Sequence, residues 1–149
     1  MEKEVQTKLL SINQRFYNKY APSFSSTRGR VQPGVRRLLK RMAPTASILD
    51  VGCGNGTLAR ALAAVDFDGQ YLGLDMSEDL LADAANGFEE PGSGTFHFRQ
   101  IDLADPDWFE KIPDAPYDWL VSFAVLHHIP GKELREQTAA GFARLVSRD

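Results

Sequence analysis

The stretch Ile48-Leu49-Asp50-Val51-Gly52-Cys53-Gly54-Asn55-Gly56-Thr57 decides how this chain is read. An apolar run enters it, glycines turn it, and a helical pattern leaves it at Thr57-Leu58-Ala59-Arg60. The order is strand, tight loop, helix. Glycines let a backbone turn sharply and bring a ligand close to the N–H groups at a helix start. The stretch predicts a cradle for a small molecule.

The spacing narrows the ligand. A dinucleotide fingerprint requires G-x-G-x-x-G. Gly52 and Gly54 fit it, but Thr57 holds the third position and the third glycine comes one residue early, at Gly56. A phosphate loop of the G-x-x-x-x-G-K-S/T kind requires a lysine, and this loop has none. Another nucleotide ligand remains open on the loop alone.

The surroundings are those of an ordinary single domain. The 149 residues are enough for a real core, and the apolar and charged fractions of 43% and 25% are usual. No apolar run approaches the ~20 residues of a membrane span. Cys53 is the only cysteine, which excludes an intrachain disulfide and a cysteine metal cluster. No signal-peptide core follows Met1-Glu2-Lys3-Glu4, so a cytoplasmic setting is expected. The net charge of −3 hides an asymmetry: residues 1–41 carry ten basic and two acidic side chains, leaving seven basic and eighteen acidic on the remainder. A basic lobe on an acidic body suits an anionic partner such as RNA, although solvated helix faces give the same composition.

In chain order, Val5, Leu9, Ile12, Phe16 and Tyr20 predict an amphipathic helix over 3–20, with the apolar stripe packed on the body. Residues 21–32 read as a loop, and a second helix runs from Pro33 to about Met42. Strands are expected at 48–51, 71–75, 95–101 and 117–123. Helices are expected at 57–65, 78–85 (with Ser77 as N-cap) and 132–146, and one helical turn near Trp108. Strands alternating with helices predict an α/β fold with a parallel, doubly wound sheet. The chain divides into an N-terminal helical segment, 1–46, and a core, 47–149.

Ligands of such sheets bind beyond the carboxyl ends of the strands. Those ends supply Asp50 and the glycine loop, Asp75 with Met76, Asp102 with Leu103, and Ser122-Phe123-Ala124 leading to Leu126-His127-His128. Asp75 suits a ribose diol, as it would in an NAD site. Asp102 suits an adenine amine beside Leu103. Asp50 is placed to steady the loop or a cationic group. No Lys or Arg stands at these ends, which argues against a phosphate ligand. Two adjacent histidines make a poor metal pair because neighbours point apart, so no metal site is expected. His127 is the candidate base.

Four segments in order, I-L-D-V-G-C-G-N-G-T at 48–57, Y-L-G-L-D-M-S at 71–77, I-D-L at 101–103 and Y-D-W-L-V-S-F-A-V-L-H-H-I at 117–129, resemble a class I S-adenosylmethionine-dependent methyltransferase of Rossmann-like fold. The resemblance implies that Gly52, Cys53, Gly54 and Asn55 hold the methionine end, Asp75 the ribose, and Asp102 with Leu103 the adenine. Phe123, Ala124 and Leu126 are implied to lie near the ligand. Residues 16–28, with Phe24-Ser25-Ser26-Thr27-Arg28, are similar to the entry segment of the tRNA wobble-uridine methyltransferases, which act on a carboxymethyl group, although Gln32-Pro33 stands where those have Trp-Pro. That similarity makes Tyr20 and Arg28 candidates for the cofactor carboxylate and tRNA a candidate acceptor. A small-molecule methyltransferase and a non-catalytic S-adenosylmethionine-binding module are the other readings. The family sheet has seven strands in the order 3-2-1-4-5-7-6, whereas four are expected here. The expectation is therefore a fold cut short after the fourth strand and its helix, with an open edge that a second copy or a partner chain completes.

Overall fold

A computed structural model describes residues 2–27, 31–87 and 93–147. Helices α1 (Lys3–Thr27) and α2 (Pro33–Leu39) precede strand β1 (Ser47–Val51). Then follow α3 (Thr57–Ala63), β2 (Gln70–Asp75), α4 (Glu78–Asn86), β3 (Thr95–Gln100), β4 (Trp119–Val121) and α5 (Lys132–Leu145). Short 3-10 turns lie at Trp108–Lys111 and Leu126–His128. The sheet is wholly parallel in the order β3-β2-β1-β4, with Asp50 opposite Gly73 on β2 and Val121 on β4.

Residues of the central strands alternate between two buried faces, as both faces of a doubly wound sheet are covered. Ile48 and Tyr71 join Leu58, Ala59, Leu62 and Phe67 beneath α3, with Val35, Leu38 and Leu39 of α2 against them. Leu49, Val51, Leu72 and Leu74 join Trp108, Ile112, Tyr117 and Leu145 on the other face. Phe96 and Phe98 of β3 pack together on the α3 face, as their spacing predicts.

Several boundaries differ from expectation. Residues 21–27, expected as loop, continue α1. Pro22 removes one backbone donor, but extending an existing helix needs no new nucleus. Helix α2 stops at Leu39, and tight bonds from the Arg41 and Met42 N–H groups to the carbonyls of Leu38 and Leu39 close it. Strand β4 is shorter than 117–123. Its Asp118 N–H turns towards Ser47 Oγ on β1, while Tyr117 pairs in parallel with Val146. Tyr117 and Val146 thus meet on the far edge of the sheet, so that edge, expected open, carries one bridge beyond β4.

The largest departure is α1. Its stripe was expected to face the body, yet Val5, Leu9, Ile12, Phe16 and Tyr20 are all exposed, Ile12 by 51%. The flank beside the stripe faces inward instead. Gln6 Nε2 donates to the Pro130 carbonyl at 3.1 Å and Asn13 Nδ2 to the His128 carbonyl at 2.7 Å. Two amide side chains bonded to backbone acceptors fix the rotation of the helix where apolar periodicity alone does not. Among the described residues no helix is long and apolar enough to cross a membrane.

Candidate functional site

The loop after β1 is shaped by backbone sterics. Gly52, Gly54 and Gly56 all have positive φ, at 83°, 55° and 76°, a region that side chains bearing a Cβ rarely adopt. Gly52 has a second constraint: a Cβ there would stand 2.1 Å from Val125 Cγ2. The Gly52 and Cys53 N–H groups bond the Leu74 carbonyl at 2.7 and 2.9 Å, tying the loop to the end of β2. Arg60 of α3 donates to the Asn55 carbonyl, and Thr57 Oγ1 donates to Asn55 Oδ1 at 2.9 Å.

The end of β2 supplies a carboxylate oriented by backbone donors. The Gly54 N–H reaches Asp75 Oδ2 at 2.9 Å, and the Ser77 N–H reaches Oδ1 at 3.0 Å. Burial raises the Asp75 carboxyl above the usual carboxylate range, and these N–H groups oppose the rise. Ser77 also caps α4, accepting from the Leu80 N–H at 3.4 Å, so one turn serves both helix and carboxylate.

A cavity of about 110 Å³ opens beside Asp75. Gly52, Asp75, Met76, Asp102, Leu103 and Ala124 line it, and among the described residues neither Lys nor Arg does. Asp102 Oδ1 accepts from the Ala104 N–H at 2.9 Å, which holds that turn in place. Ala124 has a φ of 57°, a strained value for a residue with a side chain. Leu10 and Asn13 of α1 also line the cavity, together with Val125 and His128. The sequence reading named none of these four as ligand contacts. A polar residue at the margin of an apolar helical stripe was the only signal for Asn13.

The other expected residues lie elsewhere. Asp50 is buried behind the loop, on the α3 face, where its Oδ2 accepts from the Tyr71 hydroxyl at 2.7 Å. Burial pushes its carboxyl up to about 7; the Tyr71 hydrogen bond opposes the rise and the Asp75 charge adds to it. Asp50 therefore underlies the loop and is no part of the cavity wall. Cys53 is buried against Gly73, and its thiol is pushed well up by burial and by Asp50 and Asp75. Cys53, Gly54 and Asn55 form the loop beside the cavity and stand outside its lining. Phe123 and Leu126 are exposed, as is Tyr20 on α1. Arg28 lies outside the described residues. His127 is exposed, whereas His128 lines the cavity. The two rings were expected to point apart, but the 3-10 turn brings their centroids to 3.8 Å. Among the described residues no group of three metal-ligating side chains is gathered.

Comparison with known proteins accords with this geometry. A family pattern described as a methyltransferase domain matches residues 48–149. A tRNA (carboxymethyluridine(34)-5-O)-methyltransferase of Arabidopsis thaliana is 30% identical over 89% of this chain and 29% of its own length. A trans-aconitate 2-methyltransferase of Streptomyces avermitilis is 37% identical over 58% of this chain and 30% of its own. The chain thus spans about 30% of the length of these curated relatives. Among solved structures, magnesium protoporphyrin IX methyltransferase from Synechocystis, with bound S-adenosylmethionine, superposes with a TM-score of 0.71 at 20% identity, covering 93% of this chain and 72% of that one. The sheet order, the glycine loop and the family match agree: the chain belongs to the methyltransferase-domain family, class I in fold.

Proposed function

We propose that this chain binds S-adenosylmethionine at the strand ends and serves methyl transfer to a carboxylate on a tRNA wobble uridine. The observation that carries the first half is the Asp75 carboxylate, oriented by two backbone N–H groups in a cavity wall to which the described residues bring no Lys or Arg. Its two oxygens match the hydroxyls of a ribose. An acidic wall favours a ligand bearing an ammonium and a sulfonium and disfavours a diphosphate. With α1 seated, the cavity of about 110 Å³ is smaller than the ~300–1,000 Å³ usual for small-molecule sites. The ligand therefore enters with α1 displaced.

When bound, S-adenosylmethionine supplies an electrophilic methyl group. Under this reading the Gly52–Asn55 loop holds the methionine end, Asp75 the ribose, and Asp102 with Leu103 the adenine. Met76 and Ala124 fill the wall, the exposed Phe123 and Leu126 stand beside it, and Tyr20 and Arg28 are candidates for the cofactor carboxylate on the resemblance alone. A carboxylate acceptor is already anionic and needs no base, so the protein's task is alignment and exclusion of water. Helix α1 lying over the bound ligand supplies the exclusion. An amine or hydroxyl acceptor would require a base; His128 lines the cavity and the exposed His127 ring lies 3.8 Å from it, so one of the two would provide it.

The tRNA half rests on the alignment with the Arabidopsis relative, which covers 89% of the chain and so extends into the helical segment before the family match at 48–149. The trans-aconitate relative favours a second reading, a small-molecule carboxylate acceptor. Methyl-labelled S-adenosylmethionine offered with tRNA bearing carboxymethyluridine, and separately with trans-aconitate, separates the two. Alkali-labile label in the tRNA supports the first reading, and label in trans-aconitate alone supports the second. Cofactor binding with neither product makes this chain a binding module.

A further inference from the structure

The sheet has a second concave feature, at the end opposite the cofactor cavity. A groove of about 600 Å³ runs between α2 and the end of α3, floored by Met42, Pro44, Val65 and Phe67, with Arg36 and Lys40 on its rim. Among the described residues no acidic side chain lines it. Val65 is 61% exposed, an unusual position for a valine with so much apolar surface around it. The groove meets the entrances of β1 and β2, whereas the cavity lies at their exits. Five residues of β1 separate them, about 17 Å of strand.

The charge beside the groove is concentrated. Arg36, Arg37, Lys40 and Arg41 are all exposed on α2 and the turn that closes it. Among the described residues, none of the four side chains has an ion-pair or hydrogen-bond partner. Arg36 and the C-capping Lys40 are like charges four residues apart, which repel on a helix, and Arg41 adds a fourth cation in the turn that closes it. The helix C-terminus favours cations within its last turn, but that attraction does not account for Arg41 beyond it. The chain pairs charges elsewhere, as Lys111 does with Asp105 and Lys132 with Glu136.

From this juxtaposition of an apolar groove and four unpartnered cations, we propose that α2 and the groove form an RNA-docking surface, where a nucleobase lies on the Met42, Pro44, Val65 and Phe67 floor and Arg36, Arg37, Lys40 and Arg41 hold the flanking phosphates. A nucleotide combines a flat apolar base with an anion, and the surface offers the complement of both. The docked nucleotide is not the one modified, since the strand lies between the groove and the cavity. This inference rests on the tRNA reading and assigns the place where the RNA is anchored.

The test is anisotropy titration of fluorescent tRNA with this chain across a range of salt, using the wild type, the Arg36→Glu/Arg37→Glu/Lys40→Glu/Arg41→Glu variant, and Val65→Glu. S-adenosylmethionine binding, at the other end of the sheet, reports that each variant is folded. The expected result is salt-sensitive binding by the wild type. In the quadruple variant the salt slope falls by about 1 per cation that contacted phosphate, and Val65→Glu also weakens binding. Undiminished affinity and slope in a quadruple variant that binds S-adenosylmethionine would overturn the docking surface while leaving the tRNA reading standing. Absence of RNA binding by the wild type would overturn the surface, and methyl transfer to tRNA in the labelling experiment would then decide the reading by itself. Tighter binding of polyglutamate than of tRNA would replace RNA with an acidic protein as occupant.

Discussion

The strand ends and helix α1 face each other across one small cavity, and they are held by different kinds of force. On the strand-end side, geometry is imposed by backbone: three glycines at positive φ, a carboxylate taking two main-chain N–H groups, and a Val125 methyl where a Cβ on Gly52 would go. On the α1 side, two amide side chains reach loop carbonyls and five apolar side chains face outward. The first arrangement is organised before any ligand arrives. The second is held by two hydrogen bonds, worth about 1 kcal/mol each, together with Leu10 in the cavity wall and the packing of α1 on α4. A cradle built rigidly beneath a lid held lightly is the account to be tested.

The largest expected effect concerns what lies beneath the rigid side. Burial holds the Asp50 carboxyl at about 7 in the folded chain, against about 3.9 when unfolded. Between those values the folded state binds the extra proton, so stability falls as pH rises from about 4 to about 7. The fall is up to about 4 kcal/mol. Asp75, raised in the same direction, adds to the slope. Asn at position 50 keeps an acceptor for the Tyr71 hydroxyl and has no proton to lose. Urea denaturation of Asp50→Asn between pH 5 and 8 should show most of the pH dependence gone.

Gly52→Ala comes next. It combines a clash at 2.1 Å with a φ of 83° and should cost about 3 kcal/mol. Gly54→Ala sharpens the point, because nothing stands within 4 Å of its added Cβ and only backbone strain of about 1 kcal/mol remains. Equal losses at the two positions, measured by denaturation, would mean that sterics do not set the loop. A smaller effect than that of Gly52→Ala belongs to the lid. Gln6→Ala with Asn13→Ala should cost about 2 kcal/mol or less, accelerate S-adenosylmethionine association in stopped-flow mixing, and hasten proteolysis within α1. Unchanged association would mean that α1 does not gate the cavity.

What the sequence made legible follows the same division. The glycine loop could be read because positive φ is a local demand that the residue type answers. Asp75 could be read because the end of a strand is a fixed place in a parallel sheet. The parallel sheet followed from alternation of strands and helices, and its order, β3-β2-β1-β4, from the resemblance to the family. The orientation of α1 could not be read, since a stripe at helical spacing names a face but not what covers it. The division between His127 and His128 depended on the phase of a 3-10 turn, and adjacent residues give no periodicity to fix it. Asp50 was expected to steady the loop or a cationic group, and strand alternation, which turns it with Ile48 towards Tyr71 and α3, leaves only the loop.

The most direct test of the central claim is calorimetric titration of the chain with S-adenosylmethionine, beside NAD and with Asp75→Ala as control. The account predicts one-site binding of S-adenosylmethionine, none of NAD, and a loss of roughly tenfold or more in the control, since a hydrogen bond to a charged group is worth about 1.5–3 kcal/mol. Equal binding by the control, or a preference for NAD, would contradict it.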